Sequence, residues 1–342
     1  MRRRNRGKFS GLMLAVLALA IYLGGQAVWQ AAQPARLDRP VIVEIAPGSG
    51  AQGIAATLQN SGILRSPWPF LAWHYLRWPR AKLKAGEYRF EGEVTVAGVY
   101  GKLARGEFFY HTLTIPEGFN LFDVADAVEQ SGLAKAQDFL AAAHNTTAIA
   151  DIAPHAKTLE GFLFPDTYRF TRQTSAAQMA QTMVARFHQV FKSVAQGQEL
   201  PPSRILEIVT LASLVEKETG KTSERPVVAS VFRNRLGLGM PLQCDPTVVY
   251  AALLERAYRG NIYASDLKRA SPYNTYVNRG LPPGPVANPG RAALEAALRP
   301  ASTDFLYFVA DTEGGHIFAR TLAQHNRNVQ AYRRKTAAHA HG

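Results

Sequence analysis

The chain has 342 residues, long enough for more than one domain with its own core. A composition of 47% hydrophobic and 19% charged residues fits a folded globular protein and excludes a disordered or fibrous one. A single cysteine, Cys244, excludes an intrachain disulfide and a cysteine-built zinc site, while 39 Lys and Arg against 26 Asp and Glu, a net +13, ask for an anionic neighbour.

Part of that charge is concentrated at the start. Arg2, Arg3, Arg4, Arg6 and Lys8 precede an uncharged stretch from Phe9 to Ala35, most apolar between Leu12 and Leu23. The stretch can supply the ~20 residues that cross a bilayer as a helix, and basic residues on its N-terminal flank keep that end cytoplasmic. The expectation is an anchor over 9–31 with everything after Pro34 outside the cytoplasm. A cleaved signal peptide, ending among the small residues Ala27 to Ala32, is the alternative; Val28 and Trp29 prolong the apolar run and favour the anchor. The remaining cations are scattered rather than gathered in a stripe, so no nucleic-acid partner is expected.

After a linker at Pro34 to Arg39, Val41 to Ile45 reads as a strand and Pro47 to Gly50 as a turn. Ile54 to Gln59 reads as a helix stopped by Asn60-Ser61-Gly62, Pro67 to Leu76 as a second helix, and Gly86 to Phe90 as the opening of another strand. This strand–helix–helix–strand unit is a small module, followed by a helix at Thr95 to Ala104. Trp68, Trp73 and Trp78 recur at helical spacing, which favours core packing of the module over a sugar platform. The order then partly recurs: strand Thr112 to Ile115, turn Pro116 to Gly118, helix Leu121 to Gln130. An aromatic loop, Phe162 to Tyr168, precedes helices at Ala176 to Val194, Arg204 to Thr219 and Glu224 to Leu236, the last with Ser223 as its N-cap. The region Gly237 to Gly290 is irregular apart from a helical piece at Thr247 to Ala257. A hairpin follows, Phe305 to Ala310 with His316 to Ala319, then a helix from Leu322 to Arg334 and a frayed tail from Thr336.

Two short patterns are set aside and a third kind is absent. Thr219-Gly220-Lys221-Thr222 lacks the earlier glycine of a phosphate-binding loop, Ser265 to Lys268 stands without the companion elements of a penicillin-binding enzyme, and no His-rich metal motif occurs. The segment with chemical content is Ile205 to Thr219, apolar nearly all round and therefore a buried helix. Its last turn carries Glu216 and Glu218, which point roughly 200° apart. Burial and the negative end of the helix dipole both raise a carboxyl pKa, as a general acid requires, whereas Lys217 and Lys221 act the other way. The pattern alone does not choose between the two glutamates, nor exclude that both are salt-bridged. Gln243, Asp245, Thr247, Asn274, Thr275 and Tyr276 lie in the irregular region; such side chains bind sugar hydroxyl and N-acetyl groups, or equally satisfy the backbone of a long loop. Glu160 and Asp166, near Tyr168, are candidates for a cleft wall.

The strings LASLVEKETG, EGFLFPDTY, VASVFRNRLGLGMPLQCDPTVVY, SPYNTYVNRGLPPGPVANPG and LYFVADTEGGHIFARTLAQHNRNV together resemble the YceG-like endolytic murein transglycosylase family. The resemblance runs from the anchor to Tyr332. It implies an α+β protein with a single N-terminal transmembrane helix, a small LysM-like βααβ module and a mixed α+β catalytic domain. The corresponding division is a basic segment at 1–8, the anchor at 9–31, the module at 40–110, the catalytic domain at 111–335 and a tail at 336–342. It further implies an inner-membrane, single-pass protein with a periplasmic catalytic domain that cleaves nascent peptidoglycan strands, with the peptidoglycan synthases as candidate partners. The catalytic glutamate of the family motif is the second one of E-K-E-T, which falls on Glu218. Gln243, Asp245, Thr247, Asn274, Tyr276 and Glu160 are then the candidate substrate-binding residues. Most glycosidases use two carboxylates. A lytic transglycosylase needs one, because the MurNAc C6 hydroxyl replaces water as the nucleophile and leaves a 1,6-anhydroMurNAc end; neither metal nor organic cofactor is expected. The alternative function is a non-catalytic peptidoglycan-binding scaffold.

Overall fold

The computed structural model describes residues 33–76 and 81–340, with side chains to 337, and scattered positions between 13 and 29. The expected membrane helix over 9–31 lies mostly outside these residues. A crossing needs one apolar helix of about 20 residues. Among the described residues no helix is long and apolar enough to cross a membrane, so a single-pass inner-membrane placement with a periplasmic catalytic domain is not supported.

The chain is an α+β protein whose contacts divide it into two units. The first comprises the described residues up to His111 together with Thr171–Gln173. It contains β1 (Ala35–Ile45), α1 (Ala51–Asn60), α2 (Trp68–Leu76), β2 (Gly86–Val94) and α3 (Val96–Arg105). β1 and β2 pair antiparallel with Val43 opposite Tyr88 and Ile45 opposite Gly86. Alternation explains why this sheet has one inner face: Val43 and Ile45 are buried while Ile42 and Glu44 point outward. Ile54, Leu58, Phe70, Tyr88, Val99 and Leu103 complete the core. The core-packing expectation for the tryptophans is corrected. α2 is apolar on nearly every side, but a small module can cover only one face, and it covers Pro69, Phe70 and Leu71. Trp68 and Trp73 remain 70% and 41% exposed; Trp78 lies outside the described residues.

The second unit is formed by Thr112–Phe170 and the described residues from Thr174 onward. Its helices are α4 (Leu121–Gln130), α5 (Ala136–Ala143), α6 (Ala176–Val194), α7 (Pro202–Glu218), α8 (Arg225–Gly237), α9 (Asp245–Leu254), α10 (Arg291–Leu298) and α11 (Leu322–Ala340). Two small sheets accompany them, β3 (His111–Thr114) with β4 (Thr167–Phe170) and β5 (Tyr307–Ala310) with β6 (His316–Ala319). Local signals fix several helix starts. Asn120 and Asp123 form a reciprocal capping box on α4, Ser175 and Gln178 another on α6, and Pro202 opens α7. α8 begins one residue later than its sequence suggests, because Glu224 rather than Ser223 occupies the N-cap. α11 continues to Ala340, past the expected fraying at Thr336.

α7 is the central element. Ile208 through Val215 are buried without interruption, as an all-round apolar helix requires. α8, α9 and α10 pack against it. The surrounding core includes Phe162, Phe187, Phe232, Val228, Leu294 and Ala297. Packed against three helices, α7 delivers its last turn, with Glu216 and Glu218, to a fixed point.

Candidate active site

The two glutamates of that last turn have different surroundings. Glu216 Oε1 accepts from Arg225 at 2.6 Å and Oε2 accepts from the backbone N–H of Gly290 at 2.9 Å. Both oxygens are committed, and the Glu216 and Arg225 side chains are only 5% and 6% exposed. Burial pushes the Glu216 carboxyl up, while the Gly290 N–H and the Arg225 charge restrain it. This arrangement ties α7 to the start of α8 and the N-terminus of α10.

Glu218 is half-buried on another side of the helix end. Its Oε1 accepts from the Cys244 thiol at 3.0 Å, and among the described residues its Oε2 has no hydrogen-bond partner. Burial raises its carboxyl pKa; the Asp245 charge adds to this, against the Cys244 bond and the His316 and Arg235 charges. A carboxyl held toward its neutral form with one oxygen free is suited to give a proton to a bound ligand and take one back.

The groups around Glu218 come from three directions. Cys244 is the N-cap of α9 and Asp245 its first residue. Asp245 is exposed, and its Oδ1 accepts from the Tyr276 hydroxyl at 2.5 Å. Burial raises the Tyr276 pKa, and the bond to Asp245 raises it further, so the hydroxyl remains a donor. Arg235 on α8 lies under the site, its Nε on the Leu306 carbonyl at 2.7 Å and its Nη1 on the Leu242 carbonyl at 2.8 Å. From the hairpin, His316 Nδ1 lies 2.8 Å from Glu224 Oε2 and its backbone N–H donates to Oε1 at 3.1 Å. Burial pushes the Glu224 carboxyl up, but these bonds outweigh it and hold the carboxyl below its ordinary range. Thr219, the extended residue that ends α7, donates from its hydroxyl to Glu224 at 3.3 Å and so joins the helix end to the hairpin.

The remaining candidate residues separate by burial. Gln243 is exposed and has a left-handed backbone, φ 51°. Thr247 is fully buried, and its hydroxyl donates to the Cys244 carbonyl at 2.7 Å and meets Thr275 Oγ1 at 2.9 Å. Asn274 is fully buried too, with its amide on the Leu267 and Arg269 carbonyls at 3.1 and 2.8 Å. These two side chains hold the irregular loop in shape, leaving Gln243, Asp245 and Tyr276 on the accessible side. Asp166 pairs with Arg186 at 2.7 Å.

Glu160 is a buried strut. It accepts from the Leu121 N–H at 2.8 Å and the Asn288 amide at 3.2 Å, and bonds the Tyr250 hydroxyl. None of these partners is shared with Glu218. Burial pushes its pKa up to about 8 from an ordinary 4.5. A raised folded-state pKa makes the associated stabilisation complete below the unfolded value and lost as pH rises through the folded one. Glu160→Gln cannot titrate there. In urea unfolding across pH, wild-type stability relative to this variant should therefore fall between about 4.5 and about 8. A difference that does not vary with pH would refute the buried neutral carboxyl.

Cys244, Arg235, Glu224 and His316 were not among the candidate site residues. Arg235 offered a signal, since at helical spacing it shares a face with the apolar Val228, Val231 and Phe232. The other three become legible only when residues 218, 224, 244 and 316 are brought together.

Comparison with known proteins agrees with the fold. The pattern of the YceG-like family matches residues 43–331, and the chain belongs to that family. An endolytic murein transglycosylase of Bacillus subtilis (strain 168) is 33% identical over 85% of this chain and 84% of its own length. One of Streptococcus pneumoniae (strain R6) is 34% identical over 93% of this chain, which spans 63% of that longer protein. These relatives are lytic transglycosylases by name, and thus lyases. A crystal structure of a YceG-like protein from Listeria monocytogenes superposes with a TM-score of 0.55 at 32% identity, covering 86% of this chain and 99% of that one.

Proposed function

We propose that the protein is an endolytic murein transglycosylase with Glu218 as its single acid and base. The observation that carries this reading is the asymmetry of Glu218: one oxygen engaged by Cys244, the other free, in surroundings that favour the neutral acid. The relatives' name supplies the substrate class. In the reaction proposed, Glu218 gives its proton to the glycosidic oxygen between MurNAc and GlcNAc, and the C1–O bond breaks with its electron pair passing to that oxygen. The carboxylate then takes the proton of the MurNAc C6 hydroxyl as that oxygen closes on C1. The products are a GlcNAc-ended fragment and a 1,6-anhydroMurNAc end, and no water is consumed.

Gln243, Asp245 and Tyr276 are the polar groups proposed to hold the sugar rings, being accessible and close to Glu218 in the fold. The first unit is proposed to act as a LysM-like glycan-binding module, which is consistent with the exposure of Trp68 and Trp73. Purified protein incubated with uncrosslinked murein strands should shorten them from within, read as the appearance of mid-length fragments on chromatography. A binding scaffold would co-sediment with murein and leave the strand lengths unchanged, and that outcome would overturn the enzymatic reading.

A further inference from the structure

Cys244 has no role in the reaction as derived so far, yet among the described residues its side chain is the one that hydrogen-bonds the Glu218 carboxyl. Its direction is set by its neighbours. Gln243, immediately before it, adopts φ 51°, a left-handed turn that costs a non-glycine residue energy. The turn is held by Thr275: the Gln243 N–H donates to the Thr275 carbonyl at 3.1 Å and the Cys244 N–H donates to Thr275 Oγ1 at 3.0 Å. Thr275 is in turn fixed by Thr247 at 2.9 Å. Cys244 is 1% exposed, and its Sγ lies 3.0 Å from Glu218 Oε1.

We propose that Cys244 is a positioning residue for Glu218: by donating its S–H to Oε1 it leaves Oε2 as the oxygen that carries the transferred proton. The inference rests on the reading of Glu218 as acid and base. Burial and the neighbouring carboxyl both push the Cys244 thiol up, so it remains an S–H donor and forms no competing thiolate. The thiol gives up no proton in either step. Oε2–H protonates the leaving oxygen, the carboxylate keeps its thiol bond through Oε1, and Oε2 receives the C6 hydroxyl proton. A donor to a carboxylate favours the charged form. Cys244 thus counteracts burial and the Asp245 charge, and keeps the acid able to return as a base.

The groups facing Glu218 are Cys244 and Asp245 from α9, Tyr276 from the following loop, Arg235 from α8 and His316 from β6. They give the test its signs. In the full chain, kcat/KM on murein strands falls on the alkaline side as Glu218 loses its proton. Cys244→Ala should move that limb up by on the order of one pH unit. Cys244→Ser, which retains a donor, should return it close to wild type. Asp245→Asn removes a negative charge and should move it down. An unmoved limb in Cys244→Ala, or a serine variant that behaves like the alanine variant, would overturn the proposal.

A second readout needs no activity. The chain has one cysteine, so its S–H stretching band reports Cys244 alone. The band should lie at lower frequency in the wild type than in Glu218→Ala, where the acceptor is gone. Equal frequencies would refute the hydrogen bond, even if the variants at position 244 failed to fold. Retained activity in Glu218→Gln would instead remove the catalytic reading on which the inference rests, so the two failures are distinguishable.

Discussion

Glu218→Gln is expected to lower the rate of strand cleavage by at least about 10²–10⁴-fold, the range for a lost acid–base group, with little change in stability. The amide oxygen can still accept from the Cys244 thiol, as Oε1 does at 3.0 Å. The surroundings already favour a neutral side chain, since burial and Asp245 raise the Glu218 pKa, so a neutral amide meets no new penalty. What disappears is the proton on the free oxygen. Initial rates on murein strands, with thermal unfolding in parallel, measure both quantities. Glu216→Gln is the matched control. Its oxygens are bound to Arg225 and Gly290, so its damage should appear in stability, with a much smaller loss of rate. Equal loss of rate in both variants, with both folded, would remove the distinction between them.

Arg225→Ala should produce the largest loss of stability. Arg225 bonds Glu216 at 2.6 Å and Glu117 at 3.3 Å. Its removal leaves the Glu216 carboxylate almost fully buried with the Gly290 N–H as its remaining partner. Breaking a buried pair from one side costs about 3–5 kcal/mol. In a unit of this size that corresponds to a Tm lower by roughly 6–20 °C. The penalty should shrink as pH is lowered, because an unpaired buried carboxylate takes up a proton more readily. Replacing both partners, Glu216→Leu with Arg225→Met, should recover much of the loss, since no buried charge is then left uncompensated. A single variant that melts within two or three degrees of wild type would show that the pair does not hold the helices together.

The burial of α7 was legible because its apolar residues leave no polar stripe. The choice between Glu216 and Glu218 was not. Both fall in the last turn, and the groups that distinguish them, Arg225, Gly290 and Cys244, arrive from other elements of the fold. The motif resemblance pointed to Glu218, and the geometry gives a physical reason to prefer it. The irregular region was legible as rich in hydrogen-bonding residues. Its division into inward struts, Thr247 and Asn274, and accessible groups, Gln243, Asp245 and Tyr276, depends on how the loop closes on Thr275. α5 and α10 escaped the sequence reading because short alanine-rich segments have little periodicity to detect. Trp68 and Trp73 misled it because helical spacing says that residues share a face without saying whether that face is covered.

In the proposed reaction one carboxyl cleaves the strand without water. The direct measurement is mass spectrometry of the new ends after digestion in heavy-oxygen water. Intramolecular closure by the C6 hydroxyl takes no oxygen from solvent, so every new MurNAc end should be unlabelled and one water lighter than a reducing end. Reducing ends carrying one heavy oxygen would show hydrolysis and contradict the mechanism.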